Sequence, residues 1–285
     1  MNPAYLLALG ASVFYGTADF LGGFATRRAP ANTVTFIAAA AGVPGLFLLA
    51  PLMPGTPTRE ALLWAMAAGA SGGLGVALLY RAFARGPVSV AAPVISLVAL
   101  LVPVGFGLLS GERPREIGVA GIALALAAFP LLSRPASDAH SHASTRAPGA
   151  RGVVTLAILA GVLVGGFLVL VRRIGPHAGF VPLVVARLTT VALFAVLIAV
   201  RREPFRVPRA VRGPTLGSGV LDSLANVTYY LAVHGGALAI LGTIVSLAPA
   251  VTVLLARLVL HERWSVAQRA GLVLSAAAIV CVSLG

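Results

Sequence analysis

The stretch GVLDSLANVTYY, residues 219–230, places polar side chains inside a long apolar run. Asn226 follows Asp222 by one helical turn, and Tyr229 and Tyr230 follow after a further turn, so a helix would present them on one face. A carboxylate, an amide and phenols on one face suit binding of a cationic or amino group, or exchange of a proton. The alternative is a packing cluster in which Asp222 is hydrogen-bonded to a neighbour.

Two further charged residues, Asp19 and Arg187, lie inside apolar runs. A charged side chain at the centre of a membrane span costs about 2.5 to 3.5 kcal/mol on insertion scales, so each is a functional candidate. Asp19 is either a carboxylate at the span boundary near Arg27 or Arg28, or a gating or proton-carrying group. Arg187 needs a partner, and it forms either a structural ion pair with Asp19 or Asp222 or a contact to an anion.

The composition determines the broad class of the protein. Of 285 residues, 59% are hydrophobic and 10% are charged, and the mean hydropathy is +0.98, which predicts an integral membrane protein. The net charge of +13 does not indicate nucleic-acid binding, because the arginines lie mostly between apolar segments and form no basic helix or aromatic platform. The single cysteine, Cys281, excludes an internal disulfide and a cysteine metal site, and we expect neither a metal nor a cofactor.

Apolar segments long enough to cross a bilayer predict ten helical spans, since about 20 apolar residues cross a hydrocarbon core. Short connectors rich in proline, glycine and arginine separate them. We therefore predict an all-α fold of ten transmembrane helices. The spans are 4–24, 33–53, 61–83, 88–110, 116–133, 152–171, 179–200, 212–234, 238–260 and 265–284.

The two halves of the chain are related by a shift of 150 positions, which aligns YRAFARG at Tyr80 with YLAVHGG at Tyr230. Five spans per copy is an odd number, so two joined copies must enter the membrane in opposite directions. This architecture predicts a central substrate cavity between two inverted repeats, typical of secondary transporters. The other aligned pairs are Ser96 with Ser246, Glu112-Arg113 with Glu262-Arg263, and Gly121 with Gly271.

The division of the chain follows from this repeat: a first repeat at 1–133, a polar linker at 134–151 and a second repeat at 152–285. The linker contains His140 and His142 among serine, alanine and proline. Two histidines in such a low-complexity tract do not make a metal site, so we expect a plain linker.

Motifs in both halves resemble those of EamA-type transporters of the drug/metabolite transporter superfamily. They are ASVFYGTADFLGG in the first span, RLTTV in the seventh, and the paired patterns LLSGERPREIGVAGIALALAA and LVLHERWSVAQRAGLVLSAAA. The resemblance implies a ten-helix basket around a cavity that moves metabolites, amino acids or drugs, often outward, in the cell membrane. Small molecules and the lipid bilayer are then the expected partners, with a proton as a candidate coupling ion.

The orientation of the chain has two conflicting predictions. The family resemblance places both termini in the cytoplasm. Fifteen arginines lie in odd-numbered connections between spans and five in even-numbered ones, which by the positive-inside rule places both termini outside. The direction of transport, the substrate and the oligomeric state stay open at this level.

Symmetry adds further candidates, because Tyr80 matches Tyr230 and Ser96 matches Ser246 in the two repeats. They line the cavity or pack the helices. Small-residue spacings such as Gly69–Gly73 and Gly161–Gly165 indicate close helix contacts. Glu112 and Glu262 we expect to pair locally with the arginine that follows each of them.

An intramembrane enzyme and a non-transporting scaffold are the alternative functions. HERWS at His261 lacks the second histidine of a metalloprotease motif, and no serine and histidine pairing on neighbouring spans is indicated. A scaffold would leave the inverted repeat and its polar residues at mid-depth without an explanation. Transport is therefore the preferred prediction.

Overall fold

A computed structural model describes residues 2–85, 88–132, 150–260 and 265–284 of the chain. Within these ranges the secondary structure is entirely helical, with two short 3-10 turns at Ala50–Leu52 and Pro176–Ala178. The helices are α1 (Pro3–Thr26), α2 (Ala31–Leu49), α3 (Arg59–Arg85), α4 (Val88–Leu109), α5 (Glu116–Leu132), α6 (Ala150–Arg173), α7 (Val181–Arg201), α8 (Arg209–Val233), α9 (Leu238–Ser246), α10 (Ala248–Leu260) and α11 (Val266–Leu284).

Helix ends follow local sequence signals. Asn2 caps α1 by accepting a hydrogen bond from the Ala4 amide at 3.0 Å, and Pro3 occupies the first helical position, where no amide hydrogen is needed. Arg202 ends α7 in the left-handed conformation with φ of 54°. These signals determine where α1 begins and where α7 ends.

Within the described residues, helices lie over all ten predicted spans, and seven helical stretches among them are long and apolar enough to cross a membrane. The ninth span differs from the prediction. We predicted one helix over 238–260, whereas the structure breaks it at Leu247 into α9 and α10. Pro249 explains the break, because it has no amide hydrogen to donate to the carbonyl of Val245, four residues earlier. The equivalent helix of the first repeat, α4, is continuous.

The helices pack with an approximate twofold relation between the halves. Helix α1 packs on α8 as its counterpart α6 packs on α3, and the α2–α8 contact matches the α7–α3 contact. Helix α4 packs on α6 in the same way that α9 and α10 pack on α1. The protein is thus an all-α membrane protein of two inverted five-helix repeats around a central cavity.

Glycines allow two equivalent close helix contacts. A Cβ atom added at Gly69 would lie 2.0 Å from the carbonyl oxygen of Ala186 on α7. Its repeat partner Gly219 would meet the carbonyl oxygen of Ala38 on α2 at 1.8 Å. The prediction that Gly69 marks a close helix contact is confirmed, and the inverted repeat places a matching glycine in the second half.

Several predicted features lie outside the described residues. They include His140 and His142 of the linker, and Glu262, Arg263 and His261 between the ninth and tenth spans.

Candidate functional site

A cavity of about 210 Å³ lies between the two repeats. Its wall comes from α1 to α4 of the first repeat and α6 to α10 of the second. Most lining side chains are apolar, and the three charged ones are Asp19, Arg187 and Asp222. All three intramembrane charges found in the sequence therefore meet at one place.

Arg187 on α7 forms an ion pair with Asp222 on α8, through Nη2 and Oδ2. The Arg187 side chain is only 10% exposed, whereas that of Asp222 is 31% exposed toward the cavity. A nearly buried guanidinium needs a counter-charge, because an unpaired ion in a low-dielectric interior costs several kcal/mol. Asp222 supplies this counter-charge.

Asn226 and Tyr15 extend the ion pair into a hydrogen-bonded network. The Asn226 amide Nδ2 donates to the carbonyl oxygen of Asp222 at 2.6 Å and to its Oδ2 at 3.1 Å. The Tyr15 hydroxyl on α1 donates to Asn226 Oδ1 at 3.0 Å. The network therefore links the first repeat to the second. Sequence reasoning did not select Tyr15, although its position four residues before Asp19 places both on one face of α1.

Asp19 lies in the cavity wall and is partly exposed to it. Among the described residues its carboxylate makes no ion pair or hydrogen bond. Within the described ranges no ion pair joins Asp19 to Arg27 or Arg28, and Arg28 lies over the ring of Phe24, 5.9 Å from its centroid. Asp19 faces the same space as Asp222 instead.

Tyr80, Ser96 and Ser246 also line the cavity. Tyr80 lies against α1, because a Cβ atom at Gly22 would fall 2.3 Å from its hydroxyl oxygen. The Oγ of Ser246, at the end of α9, is buried without a hydrogen-bond partner among the described residues. The matched serines thus sit in equivalent walls, one on the continuous helix and one at the break.

Tyr229 and Tyr230 are separated from the cavity, although they share α8 with Asp222. Both are almost fully buried, at 0% and 1% exposure. The Tyr229 hydroxyl donates to the carbonyl oxygen of Leu168 at 2.8 Å, and that of Tyr230 to Gly175 at 2.7 Å. These contacts fix α8 against α6 and the segment that follows it. The predicted polar face therefore divides into a cavity portion, Asp222 and Asn226, and a packing portion.

Glu112 makes a contact that differs from our prediction. It was expected to pair with the adjacent Arg113, but its two oxygens accept the free amides of Leu238 and Ala239 at the start of α9, at 2.7 and 2.9 Å. Arg172 Nη2 lies 3.9 Å from Glu112 Oε1. A carboxylate at a helix N-terminus is stabilised by the unpaired amides and the helix dipole. The sequence did not reveal this contact, because Leu238 and Ala239 lie more than 100 positions after Glu112.

Comparisons with known proteins agree with this architecture. A model of the EamA-like transporter family matches the chain twice, over residues 2–134 and 151–284. A solved structure titled only "Crystal structure of protein" superposes with a TM-score of 0.79 at 22% identity, covering 99% of this chain and 96% of that one, and shows a common fold. A search of curated proteins found no match.

Proposed function

Since the chain belongs to the EamA-like transporter family, and is therefore a multi-pass membrane transporter of small molecules, we propose that it exports a small metabolite or drug from the cell by alternating access of its two repeats. The membrane is then the plasma or inner membrane. The working units are the repeats at 1–133 and 152–285, joined by the linker at 134–151.

The observation that carries this proposal is the cavity between the repeats with three ionisable residues in its wall. Charges within a membrane-spanning bundle are costly, and they are found where substrates or ions pass. Substrate sites of inverted-repeat transporters lie between the repeats near mid-depth. Asp19, Arg187 and Asp222 line the cavity between the repeats, which supports the proposal.

The proposal gives the polar residues distinct roles. Asp222, Arg187 and Asn226, with Tyr15, form the polar centre of the substrate site, and Asp19 is the group free to exchange a proton or contact the substrate. Five further residues either line the cavity or hold α8 in place. The walls are Tyr80, Ser96 and Ser246, and the supports are Tyr229 and Tyr230.

Two polar contacts at one end of the bundle support alternating access. Glu112 of the first repeat accepts hydrogen bonds from the amides of Leu238 and Ala239 at the start of α9, and Arg172 Nη2 of the second repeat lies 3.9 Å from Glu112 Oε1. These contacts join the repeats at the end where the even-numbered connections lie. Rocking of one repeat against the other would break and remake such contacts while the central network stays in place.

Transport by the purified protein in proteoliposomes tests this proposal. The wild type is screened against labelled amines, amino acids and drugs, with and without an imposed proton gradient, beside liposomes that lack protein. We expect protein-dependent movement of at least one class, accelerated by a proton gradient directed opposite to the substrate. Movement no faster than in empty liposomes for every class would contradict the proposal.

A further inference from the structure

Two of the three charged residues in the cavity form an ion pair with each other, and the third does not. Arg187 and Asp222 neutralise each other, and Asn226 adds a hydrogen bond to the same carboxylate oxygen. An anionic substrate would have to draw Arg187, which is only 10% exposed, away from this partner. Breaking a buried pair leaves an uncompensated charge, so the pair disfavours recognition of an anion by Arg187 alone.

Of the three charged groups in the cavity wall, Asp19 is the one without a counter-ion among the described residues. With two carboxylates and one guanidinium, the ionised cavity has a net charge of one negative. An ionised carboxylate away from water is costly unless it is paired. Asp19 therefore has a place for one positive charge, supplied by a ligand or by a proton.

The rest of the wall fits an apolar body attached to that charge. Phe167, Leu168 and Val76 contribute apolar surface, and the ring of Tyr80 lies against α1 close to the Asp19 turn. Aromatic rings contribute further to cation binding through their quadrupoles. A volume of about 210 Å³ is below the usual range of drug-sized pockets, about 300 to 1,000 Å³, so the body must be small.

Resting on the proposed function, we infer that the substrate is a small organic monocation, an amine with an apolar body, and that Asp19 is its counter-ion while Asp222 remains the internal partner of Arg187. Proton and substrate then compete for the Asp19 carboxylate. The asymmetry between two carboxylates in one cavity, one paired and one free, carries this assignment.

Binding to the purified full chain in detergent tests the inference with three matched sets of probes. The cations are benzylammonium and phenethylammonium, the neutral probes are benzyl alcohol and phenethyl alcohol, and the anions are phenylacetate and hydrocinnamate. We expect the wild type to prefer each cation over its neutral and anionic counterparts. Equal or weaker binding of the cations would overturn the inference, whether or not the protein transports another class.

Variants of Asp19 then locate the cation. Asp19→Asn should weaken cation binding by about 30-fold or more, the loss found when one partner of a desolvated pair is removed, and should leave the neutral probes unaffected. Asp19→Glu should restore part of the cation affinity. Glu116→Gln, which removes an exposed carboxylate at the start of α5, is the matched control and should change binding by no more than about twofold.

The outcomes separate the two proposals. Asp19→Asn protein that elutes as a single peak and still binds cations like the wild type overturns the role of Asp19. If that variant does not fold, the cation preference of the wild type and the Asp19→Glu result still decide the matter. If cations bind through Asp19 and no class of substrate crosses the membrane in proteoliposomes, transport is contradicted and cation binding at Asp19 is left standing.

Discussion

The two repeats pack alike, but they contribute different polar groups to the cavity. On α8 the second repeat has Asp222 and Asn226, where the matching positions on α3 are Gly72 and Val76. Gly72 leaves room for the ring of Phe167, since a Cβ atom there would come within 3.1 Å of it. The symmetric positions of the backbone are therefore used for an ionised side chain in one half and for packing in the other.

The first repeat contributes its polar groups from a different helix. Tyr15 and Asp19 lie on α1, and the matching positions on α6 are Gly165 and Val169. The difference teaches that symmetry belongs to the scaffold and not to the site. Inverted repeats can open toward either side by equivalent motions around a fixed site, and the polar groups of this cavity are not repeated in the two halves.

The largest expected effect comes from breaking the ion pair that only the second repeat has. Arg187→Ala or Asp222→Ala alone leaves one charge without a partner, which costs about 3 to 5 kcal/mol in a fully buried pair. We expect less for Arg187→Ala, because Asp222 is 31% exposed to the cavity. Thermal unfolding in detergent measures the loss of stability.

The double variant Arg187→Ala/Asp222→Ala is the matched control for this effect. It removes both charges, so it should be more stable than the Asp222→Ala variant, with a coupling of about 1 to 3 kcal/mol. Strictly additive losses would show that the two side chains do not stabilise each other.

The contact of the first repeat with the start of α9 gives the next effect. Glu112→Gln keeps the size of the side chain but removes the charge that faces two free amides, which should lower the free energy of unfolding by about 1 to 2 kcal/mol. Glu116→Gln, at an exposed position in the first turn of α5, should have a smaller effect of about 0.3 to 1 kcal/mol, because this carboxylate is exposed to solvent. Equal melting temperatures for both variants would rule out the capping role.

Tyr15→Phe tests the only side-chain hydrogen bond between the repeats within the described polar network. Loss of the bond to Asn226 should cost about 1 kcal/mol and weaken substrate binding by about fivefold. Tyr229→Phe removes a comparable bond to the backbone carbonyl of Leu168, but Tyr229 itself is not part of the cavity wall. It should therefore change stability by a similar amount and leave binding unchanged. Equal effects of the two variants on affinity would erase the distinction between cavity and packing tyrosines.

The smallest effect is expected at the matched serines. Ser246→Ala removes a buried hydroxyl that has no partner among the described residues, so it should be neutral or stabilising by up to about 1 kcal/mol. Ser96→Ala, on the continuous helix α4, is the control from the other repeat. A clear loss of stability for Ser246→Ala in unfolding experiments would show that its hydroxyl has a partner.

The fold could be predicted from the sequence because its two main signals are strong. Long apolar runs with polar connectors predict the ten spans, and a shift of 150 positions reveals the inverted repeat. The break at Leu247 was not predicted, because proline is common in membrane helices and its position alone does not distinguish a kink from an interruption. Family membership confirms the class of function.

The site was predictable only in part. Polar residues within a membrane span are costly and are therefore candidates for function. On this basis the sequence could indicate Asp222, Asn226 and Arg187. Helical spacing places Tyr229 and Tyr230 near them, but it does not say which neighbouring helix covers each position. The role of Tyr15 and the hydrogen bonds of Glu112 could not be predicted, because each involves a residue more than 100 positions away in the sequence. Only the packed structure brings these residues together.

Transport by the Asp222→Asn variant in proteoliposomes across a range of pH is the most direct test of the central claim that the cavity between the repeats is the transport site. The variant is compared with wild type at equal reconstitution and with a check that it inserts normally. We predict that transport, or its pH dependence, is abolished while insertion is intact. Transport at the wild-type rate at every pH would contradict the claim.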